Sequence, residues 1–318
     1  MVATNGSSSE QPSVEGRPPD PRELPEAARS RLAQSGGKGG AWTSDLSVDE
    51  LAAIVHAGFK PVGLVMGSSV YHIGSPSTSG FGASMAGMSS IQRTAGGYYE
   101  IYPCPHGYSM VGGDHYSGIN QENPAFEQGM VQARNLAMGR LVEEAKGLGA
   151  HGVVGVELSF HPMADTRAVV EFTAFGTAVT RPGGPALPFP FTSNLSGQDF
   201  WKLIMRGFIP SGLVMGVAAV QAYAGCGTDY RMGSWTNVEV TQYTDAVQTC
   251  RELAIQRLEA EAARMGDGVI GTTVGFSSHE FGERMRMVEM TALGTAVRRF
   301  NDAPLPAPPL PIMALRDR

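Results

Sequence analysis

Hydrophobic and polar positions along this chain follow one pattern, in the same order, twice. Leu46, Ser47, Glu50, Leu51, Ile54 and Val55 open the first pass. Their spacing predicts a helix started by a capping box: Ser47 accepts from the amide three residues on, Glu50 reaches back, and Leu46 and Leu51 form a hydrophobic staple. Leu195, Ser196, Asp199, Phe200, Leu203 and Ile204 repeat the arrangement. Gly58 and Gly207 follow where a left-handed helix cap favours glycine. A short apolar strand comes next in each pass, VGLVMG or SGLVMG.

A long helix is then predicted. Met130, Ala133, Ala137, Leu141, Ala145 and Leu148 step by 3, 4, 4, 4, 3, and Val247, Cys250, Ala254, Leu258, Ala262 and Met265 repeat those steps. Each set is one buried stripe, and its alanines let the helix lie close to a sheet. Gly149 and Gly266 end these helices. Two strands follow. Val154, Val156, Leu158 and Phe160 alternate onto one face, as do Ile270, Thr272, Val274 and Phe276. In the last strand Val170, Phe172, Ala174 and Ala178 face one way, with Glu171, Thr173 and Thr177 opposite; Glu289, Thr291 and Thr295 recur in the second pass. Each unit reads helix, strand, long helix, strand, strand. The fold class is α+β, with one sheet face covered by the helix.

The repetition extends to identity. GFKPVGLVMG and GFIPSGLVMG agree at eight of ten positions, Met130–Gly149 and Val247–Gly266 at eight of twenty, and VEFTAFGTAV and VEMTALGTAV at eight of ten. The first block is offset by 149 residues and the second by 117, so repeat 1 carries 32 extra residues between them. The expected organisation is a disordered tail over 1–41, with at most a transient helix over Pro21–Gln34, and repeat 1 over 42–181 with an insertion at about 72–128. A Pro-rich linker over 182–190, repeat 2 over 191–300 and a Pro-rich tail over 301–318 complete it.

These blocks resemble the YbjQ-like family of small bacterial proteins. The resemblance rests on Gly63–Gly67, Arg134–Ala137, Gly149–Val156 and Gly176–Val179, and on Gly212–Gly216, Arg251–Ala254, Gly266–Gly271 and Gly294–Val297. It covers most of 58–180 and 207–298 apart from the insertion. His151 departs from the usual Asp or Asn, and Glu171 and Glu289 from a usual apolar residue. The resemblance implies the fold, a ring-shaped oligomeric habit with pentamers, and a heavy-metal-binding label. Since one chain supplies two places, either five chains stack two rings or the ring takes an even number of places, such as six from three chains. The first is preferred.

Charge and composition narrow the function. A net charge of -6 argues against a general nucleic-acid binder, which needs a basic face. No run approaches the roughly 18 apolar residues of a membrane span, and the N-terminus has no signal-peptide pattern. Three cysteines without repeated close spacing suggest no disulfide framework, so a reducing cytoplasm is expected.

The insertion holds five of the nine tyrosines, and GYYEIYP within it reads as an extra strand. It also holds Cys104, His106, Asp114 and His115, a candidate divalent-metal set, although the spacing matches no established ligand frame and repeat 2 lacks it. No cofactor is predicted. Cys250 replaces Ala133 on the helical stripe and reads as a small core residue, whereas Cys226 reads as a loop thiol. Glu171, Thr173, Glu289 and Thr291 are candidate interface residues on the open sheet face, with Arg167 and Arg286 as partners for the carboxylates. No nucleophile or base recurs beside them.

The expected function is a non-enzymatic oligomeric binding or scaffold protein. Its first partner is itself. The Pro-rich tail or the insertion could meet another protein. The alternatives are a metal- or small-molecule-binding protein using the insertion, and an enzyme with a site at a repeat interface.

Overall fold

A computed structural model describes residues 24–35, 42–73, 102–103, 109–110, 118–162, 169–184, 189–281 and 285–301. Repeat 1 supplies helix α2 (Val48–His56), strand β1 (Lys60–His72), strand β4 (Ile119–Glu122), helix α3 (Pro124–Gly147) and strands β5 (Gly152–Pro162) and β6 (Val169–Thr180). Repeat 2 supplies β7 (Phe191–Thr192), α4 (Gly197–Met205), β8 (Phe208–Tyr223), α5 (Cys226–Met232), α6 (Thr241–Ala262), β9 (Gly268–Phe281) and β10 (Met285–Arg299). Within the insertion, β2 (Tyr102–Pro103) pairs with β3 (Ser109–Met110). Helix α1 (Glu26–Ser35) lies in the stretch read as a tail; its Leu32 rests beside Gly147 at the end of α3.

The capping signals act as read. Ser47 accepts from the Glu50 amide while Glu50 accepts from the Ser47 amide at 2.8 Å, and Ser196 accepts from the Asp199 amide at 3.1 Å. Each repeat builds an antiparallel three-stranded core, β1-β6-β5 and β8-β10-β9, with its long helix across one face. The crossing is tight for a specific reason. A Cβ added at Gly67 would lie 1.9 Å from the Ala137 carbonyl oxygen, and one at Gly216 would lie 1.9 Å from that of Ala254. Only glycine permits this approach of helix backbone to strand, and the buried alanines of the stripe complete it.

One feature goes beyond the pattern read from sequence. Each sheet has a fourth strand taken from the other repeat. β7, at the start of repeat 2, joins β5 in parallel, and β4, from the end of the repeat 1 insertion, joins β8 antiparallel. The two units are therefore interlocked. Among the described residues, no helix is long and apolar enough to cross a membrane.

Candidate assembly interface

The joint between the repeats begins at a bulge. The β5–β6 register shifts between Val154 and Glu157, around Gly155 at φ +66°. The amides freed from the ladder turn outward, as bulges commonly allow at sheet edges. Gly155 N–H donates to the Leu195 carbonyl at 3.1 Å and Val156 N–H to that of Ser193 at 2.8 Å. Phe191 and Ser193 N–H donate back to the His151 and Val153 carbonyls. Segment 191–195 is also fixed to its own sheet, because Asn194 N–H donates to Thr295 Oγ1 at 3.1 Å.

Phe191 and Phe200 of repeat 2 fill an apolar socket formed by Ile54, Phe59, Val154 and Val179 of repeat 1. Phe59 meets Phe200 edge-on at a centroid distance of 5.2 Å, and Phe191 stacks on Phe200 at 5.7 Å. These are favoured ring geometries and exclude water from the joint. Helix α4 sits close to α2 because Gly197 has no side chain: a Cβ there would lie 2.6 Å from the Glu50 carbonyl oxygen.

Along the long helices the joint is ionic. Arg134 of α3 donates two hydrogen bonds to Glu261 of α6, at 2.8 and 2.9 Å, and Glu261 also accepts from the Met215 amide at 2.8 Å. Arg257 of α6 donates to Glu127 at 2.7 Å and to the Val217 carbonyl at 2.8 Å, and pairs with Glu122 of β4. Glu127 accepts further from the Ala219 amide at 2.9 Å. Burial raises the Glu127 pKa, an effect that the Ala219 amide and Arg257 oppose without cancelling. Burial works to lower Arg257, but the bond and charge of Glu127 outweigh it and its pKa ends raised. Such a network gives little net stability against an apolar replacement, but losing one member strands a buried charge and so enforces register.

The residues singled out from sequence fare differently. Cys104, His106, Asp114 and His115 lie outside the described residues, as do Arg167 and the Pro-rich tail. Among the described residues, no group of three or more His, Cys, Asp or Glu is placed to hold a metal ion. Glu171 lies on β6 opposite Val70 and His161, and Thr173 opposite Ser68 and Ser159. Glu289 accepts from Ser277 Oγ at 3.1 Å, with His279 Nε2 at 3.6 Å, and Thr291 lies opposite Val217 and Gly275. Arg286, the partner offered for Glu289, pairs with Glu280.

Cys250 is a core residue as read. Its thiol donates to the Ala218 carbonyl at 3.3 Å, and burial, then the charges of Glu127 and Glu289, push its pKa up to about 12. Cys226 corrects the reading of a loop thiol: it is disulfide-bonded and begins α5. Sequence reasoning missed Glu127, Arg134, Arg257 and Glu261. A signal was present for three of them, because Arg134 and Arg251, Arg140 and Arg257, and Glu144 and Glu261 occupy matched positions on the two long helices.

Fold and joint together define a tandem α+β protein whose units associate by strand exchange and a partly buried charge network. Residues 114–181 and 211–299 match the family described as "Putative heavy-metal-binding". The chain belongs to this YbjQ-like family as a tandem of two of its domains. It is similar to the encapsulin nanocompartment protein Rv1762c of Mycobacterium tuberculosis, 34% identical over 274 residues that span 81% of this chain and 86% of that one. It is also similar to a UPF0145 protein of Vibrio campbellii, 39% identical over 71 residues, 22% of this chain and 59% of the relative. A UPF0145 protein of Clostridium perfringens is 36% identical over 61 residues, 19% of this chain and 56% of the relative. The match thus spans little more than half the length of these two relatives.

Proposed function

We propose that this chain is a non-enzymatic, self-assembling scaffold protein and that it serves in an encapsulin nanocompartment, as the name of its M. tuberculosis relative says of that protein. One observation carries the reading: Glu127, Arg134, Arg257 and Glu261, all on the long helices, are spent on joining one repeat to the next. Groups so committed to each other serve cohesion. The expectation of a reducing cytoplasm rests on the cysteines forming no disulfide, and the Cys226 disulfide counts against it. Light scattering on protein purified without a metal-affinity tag tests the proposal. A particle several times the 33.6 kDa chain is expected; a monomer at micromolar concentration overturns it.

Metal binding is not part of this function. Tag-free protein is expected to carry no stoichiometric zinc or copper by elemental analysis. Retained metal that disappears on mutating Cys104 and His106 would establish the alternative, a metal-binding protein using the insertion.

A further inference from the structure

Most apolar residues that repeat 2 places against repeat 1 have an exposed or partly exposed counterpart on repeat 1, and most of what repeat 1 offers has a counterpart on repeat 2. Leu64, Met66 and Val70 of β1 are 39%, 40% and 60% exposed, whereas the matched Leu213, Met215 and Ala219 of β8, covered by repeat 1, are 5%, 4% and 0%. Trp42 is 50% exposed, whereas the matched Phe191 is 5%. On the other side, Val274 and Phe276 of β9 are exposed where the matched Leu158 and Phe160 pack against repeat 2.

The socket is duplicated too. Ile54, Phe59, Val154 and Val179 correspond in order to Leu203, Phe208, Ile270 and Val297, and these four line an open apolar pocket of about 390 Å³. The residues matching its missing occupants, Phe191 and Phe200, are Trp42 and Leu51. A second open pocket of about 490 Å³, between α6 and β9, includes Leu258 and Val269; Leu213 enters the equivalent place in repeat 1.

Strand edges and charges follow the same correspondence. Residues 236–239 (TNVE) match β4 (INQE) but are exposed and belong to no strand. The bulge at Gly271, φ +62°, matches that at Gly155. Arg134 with Glu261 maps onto Arg251 with Glu144, and Arg257 with Glu122 onto Arg140 with Glu239, so both pairs keep opposite charge, although Glu144 is already buried and accepts from the Met66 amide of its own chain. Arg140 donates to the Ser68 carbonyl as Arg257 does to that of Val217, and its Nε, like that of Arg134, is buried without a hydrogen-bond partner.

We propose that a second copy of this chain occupies these surfaces head to tail: its Trp42 enters the Leu203/Phe208/Ile270/Val297 pocket, and its β1 edge pairs with 236–239. In this register Glu239 lies beside Tyr71 and Val238 beside His72. The joint differs from the internal one in two places. Val48 replaces Gly197, which holds α2 of the incoming chain farther from α4, and Thr244 replaces Glu127. Repeats then alternate 1, 2, 1, 2 along one array. Heterologous joints of this kind close into rings when the rotation allows. Stacked rings that segregate repeat 1 from repeat 2 do not continue this geometry.

The inference rests on self-assembly, and the test separates the two. Trp42→Asp breaks the repeat 1 side and Phe276→Arg the repeat 2 side; both residues are exposed, so each chain should fold, as circular dichroism and melting will verify. Each variant alone is expected to fall to the 33.6 kDa monomer by light scattering, and an equimolar mixture to recover a dimer through its one intact joint. A monomeric wild type, with another segment or protein on the pocket, overturns both claims. A wild-type oligomer that both folded variants keep overturns the joint alone. So does a mixture that stays monomeric.

Discussion

Strands β1 and β8 share the sequence GLVMG and meet different surroundings. On the face toward its own long helix, each carries the same buried valine, Val65 or Val214, and the same glycine under the helix backbone. On the opposite face β8 is covered by α3 and β5 of repeat 1, whereas the matching face of β1 is open within the chain. The pair teaches that alternation fixes which face a residue points to where the strand is unbroken, while burial of that face is set by the neighbour; in β5 the Gly155 bulge breaks the alternation and turns Val154, read on the face of Leu158 and Phe160, onto the opposite face. An apolar residue left in water on one copy, and sealed on the other, marks a surface built to be covered.

Breaking the covered face should have the largest effect. Met215→Asp places a carboxylate in the inter-repeat core and is expected to destabilise the chain by about 3–5 kcal/mol. The matched Met66→Asp, kept dilute so that chains do not associate, should stay within about 0.5 kcal/mol of wild type. Chemical denaturation of both variants checks this; equal losses would mean that the two faces are equivalent. The glycines provide the control. Gly67→Ala and Gly216→Ala each drive a Cβ into the helix backbone of their own repeat, so each should cost roughly 1–3 kcal/mol whatever covers the far face. A large asymmetry here would show that the helix-to-sheet contact differs between repeats.

Much of the fold was legible because local chemistry repeats. The Ser47 and Ser196 caps, the stripe from Met130 to Leu148 and the alternation in β6 and β10 each depend on residues close in sequence. Strand exchange was not legible. β7 is two residues long and pairs with Gly152 and Val153, and the contact is extended by the Gly155 and Val156 amides at the bulge, which neither periodicity nor composition encodes. The charge network was half visible. Arg134, Glu144, Arg251 and Glu261 could be matched by position, but that Arg134 crosses to Glu261 of the other repeat follows only from the docking of the two helices. The short match between INQE and TNVE gains meaning only once β4 is seen on β8.

The smallest effect concerns acid, and it sharpens the comparison at the two helix starts. Glu50 has its pKa lowered from an ordinary 4.5, chiefly by the Ser47 amide, with the Ser47 hydroxyl and the Gly197 amide also helping. Asp199 is lowered from an ordinary 3.8, chiefly by Lys202, with Ser196 contributing. A carboxylate that titrates lower when folded adds stability above its unfolded pKa, and that stability is lost as pH falls through the folded value. Both contributions are therefore complete near neutrality and fade below about pH 4.5 for Glu50 and 3.8 for Asp199. The two losses differ in reach. Asp199 serves its own helix, whereas Glu50 also accepts from Gly197 of repeat 2, so protonating it loosens α2 and the α2–α4 contact together. Glu50→Gln should flatten the acid limb of the melting-temperature profile more than Asp199→Asn. Ser47→Ala and Ser196→Ala should each cost about 1 kcal/mol, because each removes one side-chain cap. If the two carboxylate variants change the acid limb equally, Glu50 acts only as a cap and the joint draws nothing from it.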